Sequence, residues 1–150
     1  MTAQSERVFR FVKTYLKDVS VECPNVPEIF VSAGQQEVSV ECVVGHRSIE
    51  EGLYEVTLSV TVKAQEGEQV CFAVEVQQGG LFEIRAVPEE DLPELLEITC
   101  PDMLMGFARE AVCDLVVKGG FPQLLIDPVS FRALFEEKRA HRAKAAPGSG

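Results

Sequence analysis

Five cysteines, at 23, 42, 71, 100 and 113, and two histidines, at 46 and 141, are the chain's candidates for nucleophilic or metal chemistry. Zinc sites need paired cysteines or histidines at short spacing, or HExxH on a helix. Neither pattern occurs, and the two histidines lie far apart. A cysteine nucleophile needs a histidine or a basic neighbourhood to hold its thiolate, and no cysteine here has one locally. Most sit among apolar residues, where a reduced thiol behaves as a small hydrophobe. An odd number without pairing spacing points to free thiols and the cytosol. There is no Gly-Lys pair and hence no Walker loop, and Gly79-Gly80 and Gly119-Gly120 lack the GxGxxG frame. His46, in a polar stretch, reads as a solvated side chain. The chain reads as a non-enzyme that needs no metal or cofactor.

Carboxylates are the remaining chemistry. Twenty-four acidic residues face fourteen lysines and arginines, a net charge of −10. Phosphate binding draws its affinity from basic side chains, so nucleic acid is excluded as a partner. Asp18 and Glu22 fall on one face of a strand pattern, and Glu75 falls on the wet face of another beside Ala73. Together they could form an acidic patch on a flat sheet. The pattern alone leaves two readings open, a solvated face or a docking surface for a basic partner.

These residues sit in four segments of period-two alternation: Tyr15 to Cys23, Glu37 to Val43, Leu53 to Lys63 and Gln69 to Gln78. Each has one oily and one polar face, which fits an antiparallel sheet solvated on one side. GHRSIEEG, residues 45–52, reads as a polar loop, and QEGE, residues 65–68, as a hairpin turn. Pro24 and Pro27 should end the first strand and force an extended crossing. After Ile84 the period becomes helical. A short helix is expected over Pro88 to Ile98, and a long one from Pro101 to Lys118, stopped by Gly119-Gly120. Another is expected from Asp127, as cap, with Pro128 at its first position. The fold class is α+β: a four-stranded antiparallel sheet with helices packed on one face. At 150 residues one domain is expected, with 1–135 folded and 136–150 a charged, flexible tail. The charged N-terminus, MTAQSERVFRFVKTYLKD, is expected to be neither secretory signal nor anchor. No apolar run approaches the roughly 20 residues that span a bilayer. The sheet's oily face exceeds what two or three helices cover, a first hint of oligomerisation.

Four motifs, YLKDVSVECPNVPEIF, EVQQGGLFEI, TCPDMLMGFARE and GGFPQLLIDPVSFRALF, resemble the SecB family of bacterial protein-export chaperones. The resemblance runs in order from Phe11 to Phe135. It implies a cytoplasmic homotetramer, a dimer of dimers, that acts without ATP, holds precursor proteins unfolded and delivers them to the motor ATPase SecA. Carried over by position, Asp18, Glu22, Ala73 and Glu75 would receive SecA. Val74, Val76 and Gln78 match positions where subunits meet, extending strand pairing across an interface. On that view Gly79-Gly80 ends an assembly strand with a sharp bend, and Leu81 and Phe82 leave the sheet. The client groove would be lined by Val40, Cys42, Phe72, Phe107 and Phe135, since an unfolded chain is recognised by apolar burial along extended channels.

The chain departs from the family in places. Where a tryptophan and a proline are common before the second strand it reads AGQQEV, Ala33 to Val38. Gly106 replaces a frequent proline, Ala73 a common leucine, and the tail EEKRAHRAKAAPGSG is unusually basic. The alternatives are a SecB-like chaperone that protects an antitoxin in a toxin–antitoxin system, or a carrier or enzyme that binds a small molecule in the same groove.

Overall fold

The computed structural model describes residues 6–145. The strands are β1 (Val8–Glu22), β2 (Glu37–Glu50), β3 (Leu53–Glu66) and β4 (Gln69–Arg85), all antiparallel. Their spatial order is β1-β4-β3-β2, so β1 and β2 are the edges. The chain crosses from one edge to the other through residues 23–36, where a 3-10 turn (Glu28–Val31) buries Ile29. Valine and threonine recur at alternate positions, and such β-branched side chains pack well on a pleated surface.

Every strand is longer than the alternation suggests. β2 runs through most of GHRSIEEG, and the expected loop reduces to a turn at Glu51-Gly52, with Gly52 at φ +77. The polar run hides this because an edge strand's side chains are mostly solvated. The hairpin expected at QEGE is present, with Gly67 at φ +60.

QQGG lies inside a strand, contrary to expectation. β4 does not end at Gly79-Gly80; it continues to Arg85, paired there with β1 and β3. Leu81 and Phe82 stay in the sheet. These glycines are set by close approach. A Cβ on Gly79 would come within 2.9 Å of Tyr15 ring carbons, and one on Gly80 within 2.7 Å of Leu104 and Phe82. The pair lets an aromatic ring lie on one face and a helix on the other.

The core lies between the sheet and α2 (Cys100–Lys118). Leu104, Ala108 and Val112 pack over Val56, Leu58, Val60, Val62, Val74 and Val76, all buried. Each large aliphatic side chain buried there contributes about 2 kcal/mol. The lead-in to α2 is continuous: a 3-10 turn (Glu89–Asp91), a single turn α1 (Leu92–Glu94) and a π-turn (Leu95–Thr99). The expected break between Ile98 and Pro101 is absent: the π-turn runs directly into α2, with Pro101 as the second residue of that helix. α2 stops where expected: Gly119 donates to Leu115 O at 3.0 Å, and Gly120 takes φ +91. The last helix, α3, spans Phe131–Ala145. It starts later than Asp127-Pro128 suggests, because Ser130 is the capping residue, its Oγ accepting the Ala133 N–H at 3.1 Å. Residues 136–145 of the expected flexible tail continue this helix, and 146–150 lie outside the described residues.

Candidate functional site

One sheet face carries the helices and the other is open. On the open face, register places Glu22 beside Ala73, Ser20 beside Glu75, and Asp18 beside Gln77. The sequence-selected quartet Asp18, Glu22, Ala73 and Glu75 is therefore brought together at one end of β1 and β4. Its three carboxylates are exposed, and none forms an ion pair among the described residues. Lys63 of β3 stands next to Ala73 and closes the row.

Next to this patch lies a network that residue patterns alone did not indicate. Glu55 is buried on the open face and accepts from Tyr15 Oη at 2.6 Å, Lys17 Nζ at 3.1 Å and Arg47 Nε at 2.9 Å. Burial alone would push its carboxyl up. Hydrogen bonds from Tyr15, Lys17 and Arg47, with the Lys17 charge, outweigh this and hold it at about 2. Burial and the Glu55 contact push the Tyr15 phenol to about 12.

The interface trio falls elsewhere. Val74 and Val76 are buried in the core, and β4 has a neighbour on both sides, so it cannot pair with another subunit. Gln78 is also buried, its Nε2 donating to Thr14 Oγ1 at 2.7 Å. Their cross-strand partners are Val21, Val19 and Leu16 of edge strand β1. Those three are 41%, 43% and 53% exposed, on the helix-side face beyond the helices' cover.

The groove residues divide. Val40 and Cys42 of β2 face α3 and the linker before it. A cavity of about 380 Å³ is lined by Cys42, Val44, Leu134 and Phe135, with Glu97 and Lys138 at its side. A second of about 380 Å³ continues along Val38, Val40 and Cys42 under Leu124 to Val129. Cys42 and Leu134 border both, so the two form one apolar channel along β2. Burial, aided by Glu41 and opposed by Arg109, pushes the Cys42 thiol up, leaving it a neutral wall atom. Lys138 Nζ bonds Glu97 Oε1 at 3.0 Å and ties α3 to the π-turn. Phe72 is buried under Phe121, ring centroids 4.9 Å apart, and Phe121 meets half-exposed Phe30 at 5.1 Å. Phe107 belongs to the opposite flank, edge-on to Phe11 of β1 at 6.1 Å. Leu124 and Leu134 also line the channel, which residue patterns alone did not indicate. Leu124 lies in an apolar run between Gly120 and Pro128 with no helical period.

An open charged face backing an apolar channel suits a protein that binds other chains, the form of a chaperone. The family model described as preprotein translocase subunit SecB matches residues 2–142. The protein-export protein SecB of Acidithiobacillus ferrooxidans is 46% identical over 141 residues, covering 93% of this chain and 95% of its own. That of Dechloromonas aromatica is 42% identical, covering 97% and 95%. A SecB-like chaperone of Mycobacterium tuberculosis, solved with an antitoxin peptide, has the same fold at TM-score 0.69. It is 18% identical and covers 81% of this chain and 91% of its own. The chain belongs to the SecB family, chaperones of protein export. Among the described residues, no helix is long and apolar enough to cross a membrane.

Proposed function

We propose that this protein, working in the cytoplasm without ATP, holds unfolded precursors in the channel along β2 and passes them to SecA docked on the open face. One observation supports the reading above others: the carboxylates of Asp18, Glu22 and Glu75 and the apolar channel lie on opposite faces of one sheet. Client and motor can then be bound together without competing. Export is favoured over protection of an antitoxin because identity to export proteins reaches 46%, against 18% to the chaperone solved with an antitoxin peptide.

Assembly as a homotetramer is part of the proposal, with β1 as the joining edge. Its exposed Leu16, Val19 and Val21 need cover. Antiparallel self-pairing would set the Arg10 end of one copy near the Asp18 to Glu22 end of the other. Val74, Val76 and Gln78 influence that joint from behind, as the cross-strand neighbours of these residues.

The test is charge reversal. Asp18→Lys or Glu75→Lys should weaken SecA binding about tenfold at low salt and less at high salt, with suppression of client aggregation intact. Unchanged affinity for SecA in both variants would refute the docking assignment.

A further inference from the structure

We infer that a β-bulge at Lys17, pinned by Glu55, is the register lock that turns the docking carboxylates outward. Glu55, Tyr15 and Lys17 are thus positioning residues for the partner on the open face, an inference that rests on the docking reading above. Each β1 side chain shares its face with its cross-strand partner on β4. Thr14 faces the helices, where its hydroxyl accepts from buried Gln78. Tyr15 faces the open side and reaches Glu55. Leu16, opposite Gln78, faces the helices again.

Strict alternation would next put Lys17 and Val19 on the open side, and Asp18, Ser20 and Glu22 against the helix side. The register breaks instead: Leu16 pairs with Gln78 and Asp18 with Gln77, leaving Lys17 as an extra residue. That residue inverts everything after it. Asp18, Ser20 and Glu22 emerge beside Gln77, Glu75 and Ala73, and Val19 and Val21 turn to Val76 and Val74. A one-residue change of register moves a whole set of side chains to the other face.

Within the subunit β1 has a strand neighbour on one side only, so the bulge needs a restraint from across the sheet. Val19 and Val21 supply little, being 43% and 41% exposed. The strong restraint is Glu55 on β3, reached across β4. It takes Tyr15 Oη at 2.6 Å and Lys17 Nζ at 3.1 Å, from the residues on either side of Leu16. Arg47 of β2 joins the same carboxylate at 2.9 Å, so its anchor involves both edges of the sheet. The Tyr15 ring crosses β4 over Gly79, the position where a Cβ would block it.

The test compares Glu55→Gln, Lys17→Met and Lys17→Arg in the full chain. Deuterium exchange of the amides from Leu16 to Glu22 should speed up about tenfold in the first two and stay near wild type in Lys17→Arg. SecA affinity should fall about tenfold in the same two variants, while holding of a denatured client is kept. Unchanged exchange in both Glu55→Gln and Lys17→Met overturns the lock. Faster exchange with undiminished SecA affinity, in a protein where Asp18→Lys does weaken SecA, overturns its role in positioning. If Asp18→Lys also leaves SecA binding unchanged, the docking reading fails, and the exchange data alone decide whether the lock exists.

Discussion

Replacing Gly79 with alanine tests how the open face is built. The added methyl would fall within 2.9 Å of Tyr15 ring carbons, closer than nonbonded carbons approach, and the backbone there is paired on both sides. The ring must therefore move, and moving it breaks the Tyr15–Glu55 hydrogen bond of 2.6 Å. Overpacking of this kind costs about 1–3 kcal/mol. A hydrogen bond to a charged group adds about 1.5–3 kcal/mol. Alanine's reduced backbone entropy in the unfolded chain returns roughly 0.5–1 kcal/mol. The net expectation is a loss of about 1.5–5.5 kcal/mol, which lowers the urea midpoint by about 1–3 M for a slope near 2 kcal/mol/M. Urea unfolding at fixed protein concentration, followed by far-UV circular dichroism, measures it. A double-mutant cycle with Tyr15→Ala isolates the cause: without the ring, Gly79→Ala should cost under about 1 kcal/mol. An equal cost in both backgrounds would refute the steric explanation of QQGG.

Glu55 predicts an acid limb. Its carboxyl lies at about 2, below its ordinary 4.5, so its stabilisation is complete above pH 5 and is lost as pH falls through 4 toward 2. Urea midpoints of the wild type should fall over that window more steeply than those of Glu55→Gln. The Tyr15 phenol, raised from 10 to about 12, gives the mirror case. Stability it contributes is complete below pH 10 and lost on the way to 12, and Tyr15→Phe should flatten that limb. Phe135, buried against the channel, should cost about 3 kcal/mol on truncation to alanine, and that variant should hold denatured clients less well. Replacing Val19 with lysine puts a charge on the proposed joining edge. Light scattering should show a mass smaller than four subunits, and an intact tetramer would exclude β1 as the joint.

Much of the fold was legible because burial is periodic. Val56, Leu58, Val60 and Val62 alternate without interruption, and all four are buried in β3 as the alternation requires. Leu104, Ala108 and Val112 recur at helical spacing and lie on the sheet. Legibility failed where a neighbour distant in sequence decides the conformation. Gly79-Gly80 looks like a strand end from its own residues, and Tyr15 and Leu104 show it to be a gap for close neighbours inside a continuous strand. Strand β2 looks like a loop after Val43 because its edge position leaves polar residues on both faces. Lys17 looks like one more polar residue of a strand, and nothing local reveals that register skips it.

The same distinction explains why the acidic quartet was easier to find than the groove. Asp18 and Glu22 lie four residues apart, and the register of one antiparallel pair then brings them to Ala73 and Glu75. The channel has no such economy. Its floor comes from alternate residues of β2, and its walls from a linker and a helix about 80 to 100 residues later in sequence. The packing of α3 on the π-turn at Leu95–Thr99, with Lys138 on Glu97, helps bring floor and wall together, beside the burial of Phe121, Ile126 and Phe131 in the core. Loss of that ion pair would move a wall of the channel without touching the floor. Lys138→Met should therefore change client affinity while leaving the open face and its partner unaffected, and a parallel loss of SecA binding would show that the two faces are not independent.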